Sequence, residues 1–146
     1  MNLHDYINRL ENLYFDLASC VTYFFFRNNG AAEMFLNAYF KRPPNQNEKD
    51  KFNLMQAFVY VNFGLMLIYN GSVRKVNLLS QKEIDKLPSY SQFMDSIRSG
   101  EVNLECGKSQ QRLGFVFLKM AKSAYNSQAF KNAASRLKGD PKNNET

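Results

Sequence analysis

The 146-residue chain has no tryptophan, one histidine, two cysteines and only four prolines. A single histidine excludes any site that takes two from one chain, a His-x3-His zinc pair included. The two thiols, Cys20 and Cys106, stand outside any C-x-x-C spacing. A secreted disulfide scaffold would be denser in cysteine, so both are expected to be reduced and mostly buried. The seven glycines form no Walker loop, no G-x-G-x-x-G and no G-x-S-x-G. A secretory signal needs a basic start and an uninterrupted apolar stretch. Here Asp5 precedes the first basic residue, Arg9, and Asp16 interrupts the apolar run. The start therefore reads as mature protein, and the expected location is cytoplasmic.

What the chain does have is apolar content, at 45%. That excludes a wholly disordered protein. The length is one domain's worth, and a chain of this size buries about 68–70% of its unfolded surface without covalent staples. The longest apolar run, Leu54 to Tyr69, is broken only by Gln56 and Asn62. At 1.5 Å per residue it spans about 24 Å, short of a hydrocarbon core of about 30 Å. A core helix is therefore expected, and no membrane span.

Helical periodicity dominates the rest. Leu3, Ile7, Leu10, Tyr14, Leu17, Val21 and Phe24 fall at steps of four and three, one stripe of a helix from Leu3 to about Asn28. Asn28-Asn29-Gly30 supplies a stop. A second helix is expected over Ala31–Lys41, ended by Pro43 and Pro44. A third is expected over Glu48–Tyr69, apolar all round in its second half and so placed mid-bundle. Gly64 inside it costs about 1 kcal/mol against alanine, which close approach of another helix would offset. Ser72–Leu79 and Val102–Cys106 alternate weakly and would suit a short ribbon. Ser80-Gln81-Lys82-Glu83 and Ser89-Tyr90-Ser91-Gln92 each have the form of a capping box. They predict short helices to Leu87 and Ser99, with Phe93, Met94 and Ile97 inward. A last helix is expected over Lys108–Lys138. The fold class is thus all-α: a single compact bundle of five to six helices over residues 1–138 with a central apolar helix. Residues 139–146 read as a disordered polar tail.

Charge is unevenly spread. It sums to −1 over residues 1–50, +3 over 51–100 and +4 over 101–146. Between Cys106 and Lys138 there are seven basic residues and no acidic one. At 100° per residue, Lys108, Arg112, Lys119 and Lys122 fall within a sector of roughly 80°, with Phe115 among them. Leu113, Phe117, Met120, Ala121 and Ala124 take the other side, and Phe130 would join Phe115 on a regular helix. Four cations along one edge can neutralise phosphates, and an aromatic among them can stack on a base. The same pattern suits a solvated helix face or a helix C-terminus, with Phe115 covered by a neighbouring helix or a second copy of the chain.

Leu79-Ser80-Gln81-Lys82-Glu83-Ile84, followed by Ile97-Arg98-Ser99-Gly100-Glu101-Val102-Asn103, resembles the helix-turn-helix of the phage repressor family. There a glutamine opens the first helix and a glycine follows the recognition helix. The resemblance covers about a sixth of the chain and implies DNA contact through the second helix. Pro88-Ser89 occupies the turn where that family favours glycine, and the spacing is one residue short.

No catalytic constellation emerges. His4 lies near the chain start; Glu33, Glu48, Asp50, Glu83, Asp85 and Asp95 sit in polar contexts that suggest surface; and Cys106, just before a helix, has no identifiable base. The expectation is a non-enzymatic protein without metal or cofactor that contacts a nucleic-acid backbone through Lys108, Arg112, Phe115, Lys119 and Lys122, in the manner of a small ribonucleoprotein subunit or a mobile-element regulator. The 21 phenylalanines and tyrosines support a rival expectation. Of these, Tyr39, Phe40, Tyr90 and Tyr125 are the least clearly inward, and exposed aromatics mark interfaces. In that case the chain is a protein–protein interaction module, an adaptor or an inhibitor of a larger enzyme.

Overall fold

The computed structural model describes residues 13–24, 29–73 and 77–139. Among them there are seven helices and no strand: α1 (Phe15–Phe24), α2 (Asn29–Phe40), α3 (Gln46–Ser72), α4 (Gln81–Asp85), α5 (Tyr90–Arg98), α6 (Gly107–Tyr125) and α7 (Gln128–Gly139). The fold is all-α with α3 central to it, as the periodicity requires. The weak alternation at 72–79 and 102–106 makes no ribbon among the described residues. The expected helical turns at Leu3–Leu10, with His4, and the polar tail from Asp140 lie outside the described residues. Two compact units can be distinguished, Met1–Val59 with Ala124–Thr146, and Tyr60–Ser123.

In the first unit, Tyr14, Leu17 and Val21 are buried, so the described half of the first stripe faces a core, together with Ala18, Ala57, Val59, Ala133 and Leu137. α2 begins at Asn29, not after Gly30, and it stops before the prolines are reached. Lys41 takes a left-handed backbone (φ 60°). Its N–H donates to the Ala38 carbonyl (3.3 Å), and the Arg42 N–H donates to the Asn37 carbonyl (3.1 Å). That pair of bonds closes a helix C-terminus in the Schellman pattern, here without glycine.

α3 starts two residues earlier than expected because Asn45 caps it. The Glu48 N–H donates to Asn45 Oδ1 (2.9 Å) and the Asn45 N–H donates to Glu48 Oε1 (2.9 Å), a reciprocal box that satisfies two otherwise orphaned groups. Arg42 grips the same carboxylate with both terminal nitrogens, at 2.5 and 3.1 Å, and holds it below the usual glutamate range.

The long C-terminal helix expected over Lys108–Lys138 is broken at Asn126-Ser127. Ser127 Oγ accepts from the Phe130 N–H (3.1 Å) and donates to the Ala124 carbonyl (2.6 Å). One side chain thus closes α6 and caps α7. The break moves Phe130 away from the position a regular helix would give it; its ring packs on Tyr125 at 4.9 Å between centroids.

In the second unit the core is built on α6. Leu113, Val116, Phe117 and Ala121 are buried, with Leu79, Phe93 and Met94. Tyr60, Phe63 and Tyr90 surround the Phe117 ring at 5.5–6.2 Å between centroids, inside the range where aromatic pairs add to area burial. Burial raises the Tyr60 phenol above its ordinary pKa. α3 and α6 run antiparallel and touch through glycine. Gly64 lies against Gly114, and Gly71 against Gly107, seven residues apart on both helices. The close approach anticipated from Gly64 is therefore present, at two levels.

Both short capping boxes form. The Glu83 N–H donates to Ser80 Oγ and the Ser80 N–H to Glu83 Oε1; Ser89 and Gln92 repeat the pattern. α4 ends at Asp85 and α5 at Arg98, the latter followed by Gly100 at φ 84°.

Candidate functional site

The stretch from Gly107 to Tyr125 is one regular helix, so Lys108, Arg112, Phe115, Lys119 and Lys122 do share an edge of α6. That edge is not an open rail of cations. α4 lies along it: Lys119 Nζ donates to the Ile84 carbonyl (2.7 Å), and Lys108 Nζ stands 3.8 Å from Glu83 Oε2. The Glu83 carboxylate is held below its usual range, first by the Ser80 N–H and also by the charges of Lys108 and Arg112. Lys119 thereby satisfies a C-terminal carbonyl of a five-residue helix, where positive charge is favourable. Phe115 and Arg112 are half-buried, and Lys122 is exposed.

Of the remaining cations in the series, Arg136 is committed. Its Nε and one terminal nitrogen donate to the Asp50 carboxylate at 2.8 and 2.9 Å. Gln46 adds a third donor at 2.8 Å. Asp50, expected at the surface, is buried (1% exposed), and chiefly because of Arg136 its pKa is lowered. Its position among polar residues near the start of α3 hid this in the sequence, because the partner is 86 positions away. Both thiols are free, as expected, but Cys106 is exposed and Cys20 only half-buried. Among the described residues, no three His, Cys, Asp or Glu side chains gather as metal ligands would.

The repressor-like segment folds as two capped helices of five and nine residues. Gln81 opens α4, and its amide donates along the helix to Asp85 (2.8 Å). Phe93 and Met94 of α5 turn inward.

The surface that sequence reasoning missed is on α3. An all-round apolar helix was expected to have neighbours on every side. Instead Val61 (38%), Leu65 (54%), Met66 (46%), Tyr69 (69%) and Val73 (58%) are exposed. With Asn62 and Asn70, also exposed, they spread over about half the circumference of the helix, Val73 lying just past its last residue, Ser72. Gly64 and Gly71 lie roughly opposite, at about 180–200° from Asn62. The helix is therefore two-faced in packing though not in hydrophobicity: glycines against α6 on one side, uncovered apolar side chains on the other. Residues 52–73 hold no Asp, Glu, Lys or Arg, so the polar face that usually marks the solvent side is missing. By length and composition alone, α3 is apolar enough to cross a membrane, and 22% of its most apolar window is buried.

In the first unit, a groove of about 340 Å³ is lined by residues that include Leu36, Phe40, Pro43, Pro44, Phe52 and Glu33. Its polar lining includes Glu48 and Lys49.

No protein-family model, curated protein or solved structure matches the chain.

Proposed function

We propose that this is a non-enzymatic helical interaction module that docks on protein through the uncovered apolar face of α3. The observation that carries this reading is the set Val61, Leu65, Met66 and Tyr69 of α3, exposed together with Val73 just past its end. Patches of about 300–600 Å² are the largest that monomers usually expose, and such patches are often functional. Aromatic and methionine side chains, as at Tyr69 and Met66, are the types enriched at interface centres. The test is capture from a nuclease-treated lysate by the tagged chain and by its Leu65→Asp variant. Proteins retained by the wild type and lost from the variant support docking on this face. Equal retention by both overturns it.

A second reading keeps the basic edge of α6 as a contact for a nucleic-acid backbone, through Lys108, Arg112, Phe115, Lys119 and Lys122. It is favoured by the one-signed charge from Cys106 to Lys138 and by the exposure of Lys122. It ranks second because α4 occupies part of that edge: Glu83 stands against Lys108, and Lys119 is bonded to the Ile84 carbonyl. Cations already engaged within the chain have less to gain from a phosphate.

A further inference from the structure

We infer that α7 is an exchangeable element: at high concentration α6 and α7 fuse into one helix, and two copies of the chain swap their α7 segments. The inference stands apart from the docking reading above, since it makes no use of the α3 face.

The break between the two helices is held by a short turn. From Phe115 to Lys138 the chain has no glycine and no proline, so no residue there forbids a continuous helix. Tyr125 ends α6 and Gln128 begins α7, leaving Asn126 and Ser127 as the whole turn. A single hydroxyl serves both sides of it: Ser127 Oγ donates to the Ala124 carbonyl and accepts from the Phe130 N–H. The Ser127 N–H also donates to the Ala124 carbonyl, at 3.1 Å, in a turn tighter than an α-helix. A break of this kind leaves carbonyls at the end of one helix, and N–H groups at the start of the next, without helical partners. Fusion returns them to bonds four residues apart, Gln128 to Ala124 and Ala129 to Tyr125 among them.

Fusion also carries α7 off its own core. In the folded chain Ala133 and Leu137 are buried in the unit that holds residues 1–59, and Arg136 grips Asp50. On a continuous helix Ala133 and Leu137 fall about 160° and 200° from Phe117, which is buried in the other unit. The inward face of α7 then points away from the side on which α6 is packed. Asp50, 1% exposed, loses Arg136, and a buried carboxylate without its partner is costly. The α7 of a second copy brings the same Ala133, Arg136 and Leu137. Reciprocal exchange therefore restores each of these contacts in both halves of a twofold dimer.

The exchanged form competes with a short connection, whose effective concentration is on the order of millimolar. The experiment is refolding of the full chain from urea at about 1 mM and at about 10 µM, followed by size-exclusion chromatography with light scattering. The wild type refolded at the higher concentration is expected to give a fraction at twice 16.9 kDa that persists on dilution, because release requires α7 to leave its core. Ser127→Ala removes the hydroxyl from the turn and puts a strong helix former there, so its exchanged fraction should be several-fold larger. Gln128→Pro acts in the opposite sense. Proline suits the first position of α7 and the extended backbone of the cap before it, but it breaks the interior of a fused helix. This variant should stay at the single-chain mass with helix content unchanged by circular dichroism. Leu65→Asp, on α3, should exchange as the wild type does. A wild type that stays at the single-chain mass at both concentrations overturns the exchange. So does a double-mass species that Gln128→Pro still forms or that Leu65→Asp abolishes, since a surface contact then holds it. If Gln128→Pro loses helix content, Ser127→Ala decides: an exchanged fraction no larger than that of the wild type overturns the proposal.

Discussion

Gly64 and Gly114 meet backbone to backbone: a Cβ on Gly64 would fall 2.8 Å from the Gly114 carbonyl oxygen, and one on Gly114 would fall 2.6 Å from the Gly64 carbonyl oxygen. Neither neighbour is the yielding tip of a side chain, so added volume must push the helices apart. Gly114→Ala is expected to lower stability by about 1–3 kcal/mol, the usual range for overpacking, even though alanine is the better helix former by about 1 kcal/mol. Gly139→Ala is the control, since nothing lies within 4 Å of a Cβ there. Urea unfolding of the two variants should shift the midpoint down for the first and leave it near wild type for the second.

Gln111 ties the connector after α3 to α6. Its side chain is fully buried; Oε1 accepts from the Leu79 N–H (2.9 Å) and Nε2 donates to the Asn77 carbonyl (3.1 Å). Gln111→Met keeps the length and removes both bonds, leaving a buried N–H without its acceptor. A loss of about 2 kcal/mol is expected, within the range for orphaned buried groups. Faster amide exchange at Leu79 than in the wild type would localise the effect; unchanged exchange there would contradict it.

The Asp50–Arg136 pair makes stability depend on pH. The folded pKa of Asp50 is lowered, so the unfolded chain binds its proton first as pH falls. The stabilisation is complete above the ordinary aspartate pKa of about 4 and disappears as pH falls through the lower folded value. Asp50→Asn should therefore cost about 2 kcal/mol near neutrality, the scale of hydrogen bonds to a charged group, with the gap to wild type closing below about pH 4. Thermal melts at pH 7 and pH 3 measure this directly. A gap that persists unchanged at pH 3 would mean that shape, not charge, is what Asp50 supplies.

Local signals in this chain were legible, and distant ones were not. The Ser80 and Ser89 boxes, the inward Phe93 and Met94 and the stripe through Tyr14, Leu17 and Val21 all follow from spacing within a few residues. Asn45-x-x-Glu48 and Ser127 were equally local signals, and they went unread because apolar periodicity carried on past them. The burial of Asp50 depends on Arg136, and the engagement of the α6 edge depends on Glu83 and Ile84, contacts that no periodicity reveals. α3 was misjudged for another reason: an all-apolar wheel says that every face prefers cover, not that the chain supplies it.

Ser127 gives a test of the break between α6 and α7. Its hydroxyl serves both the Phe130 N–H and the Ala124 carbonyl. Ser127→Ala removes both bonds and is expected to cost about 1 kcal/mol, a common figure for an N-cap. Ser127→Asp should recover much of that, since a carboxylate also accepts from the Phe130 N–H and suits a helix N-terminus. Were Ser127→Ala as stable as wild type, the break would owe its existence to packing rather than to this cap.

Charge reversal separates the two surfaces. If the α3 face is the docking site, Lys119→Glu with Lys122→Glu leaves protein capture as in the wild type, because neither side chain belongs to that sector. Lys119→Glu also removes the bond to Ile84, so the comparison is anchored by Lys122→Glu alone, at an exposed position. Binding of a labelled single strand and a labelled duplex at two salt concentrations completes the set. The docking reading expects only weak attraction, the kind a net charge of +6 gives any polyanion. Tight binding that weakens steeply with salt and is abolished by Lys122→Glu would move the function to the basic edge of α6.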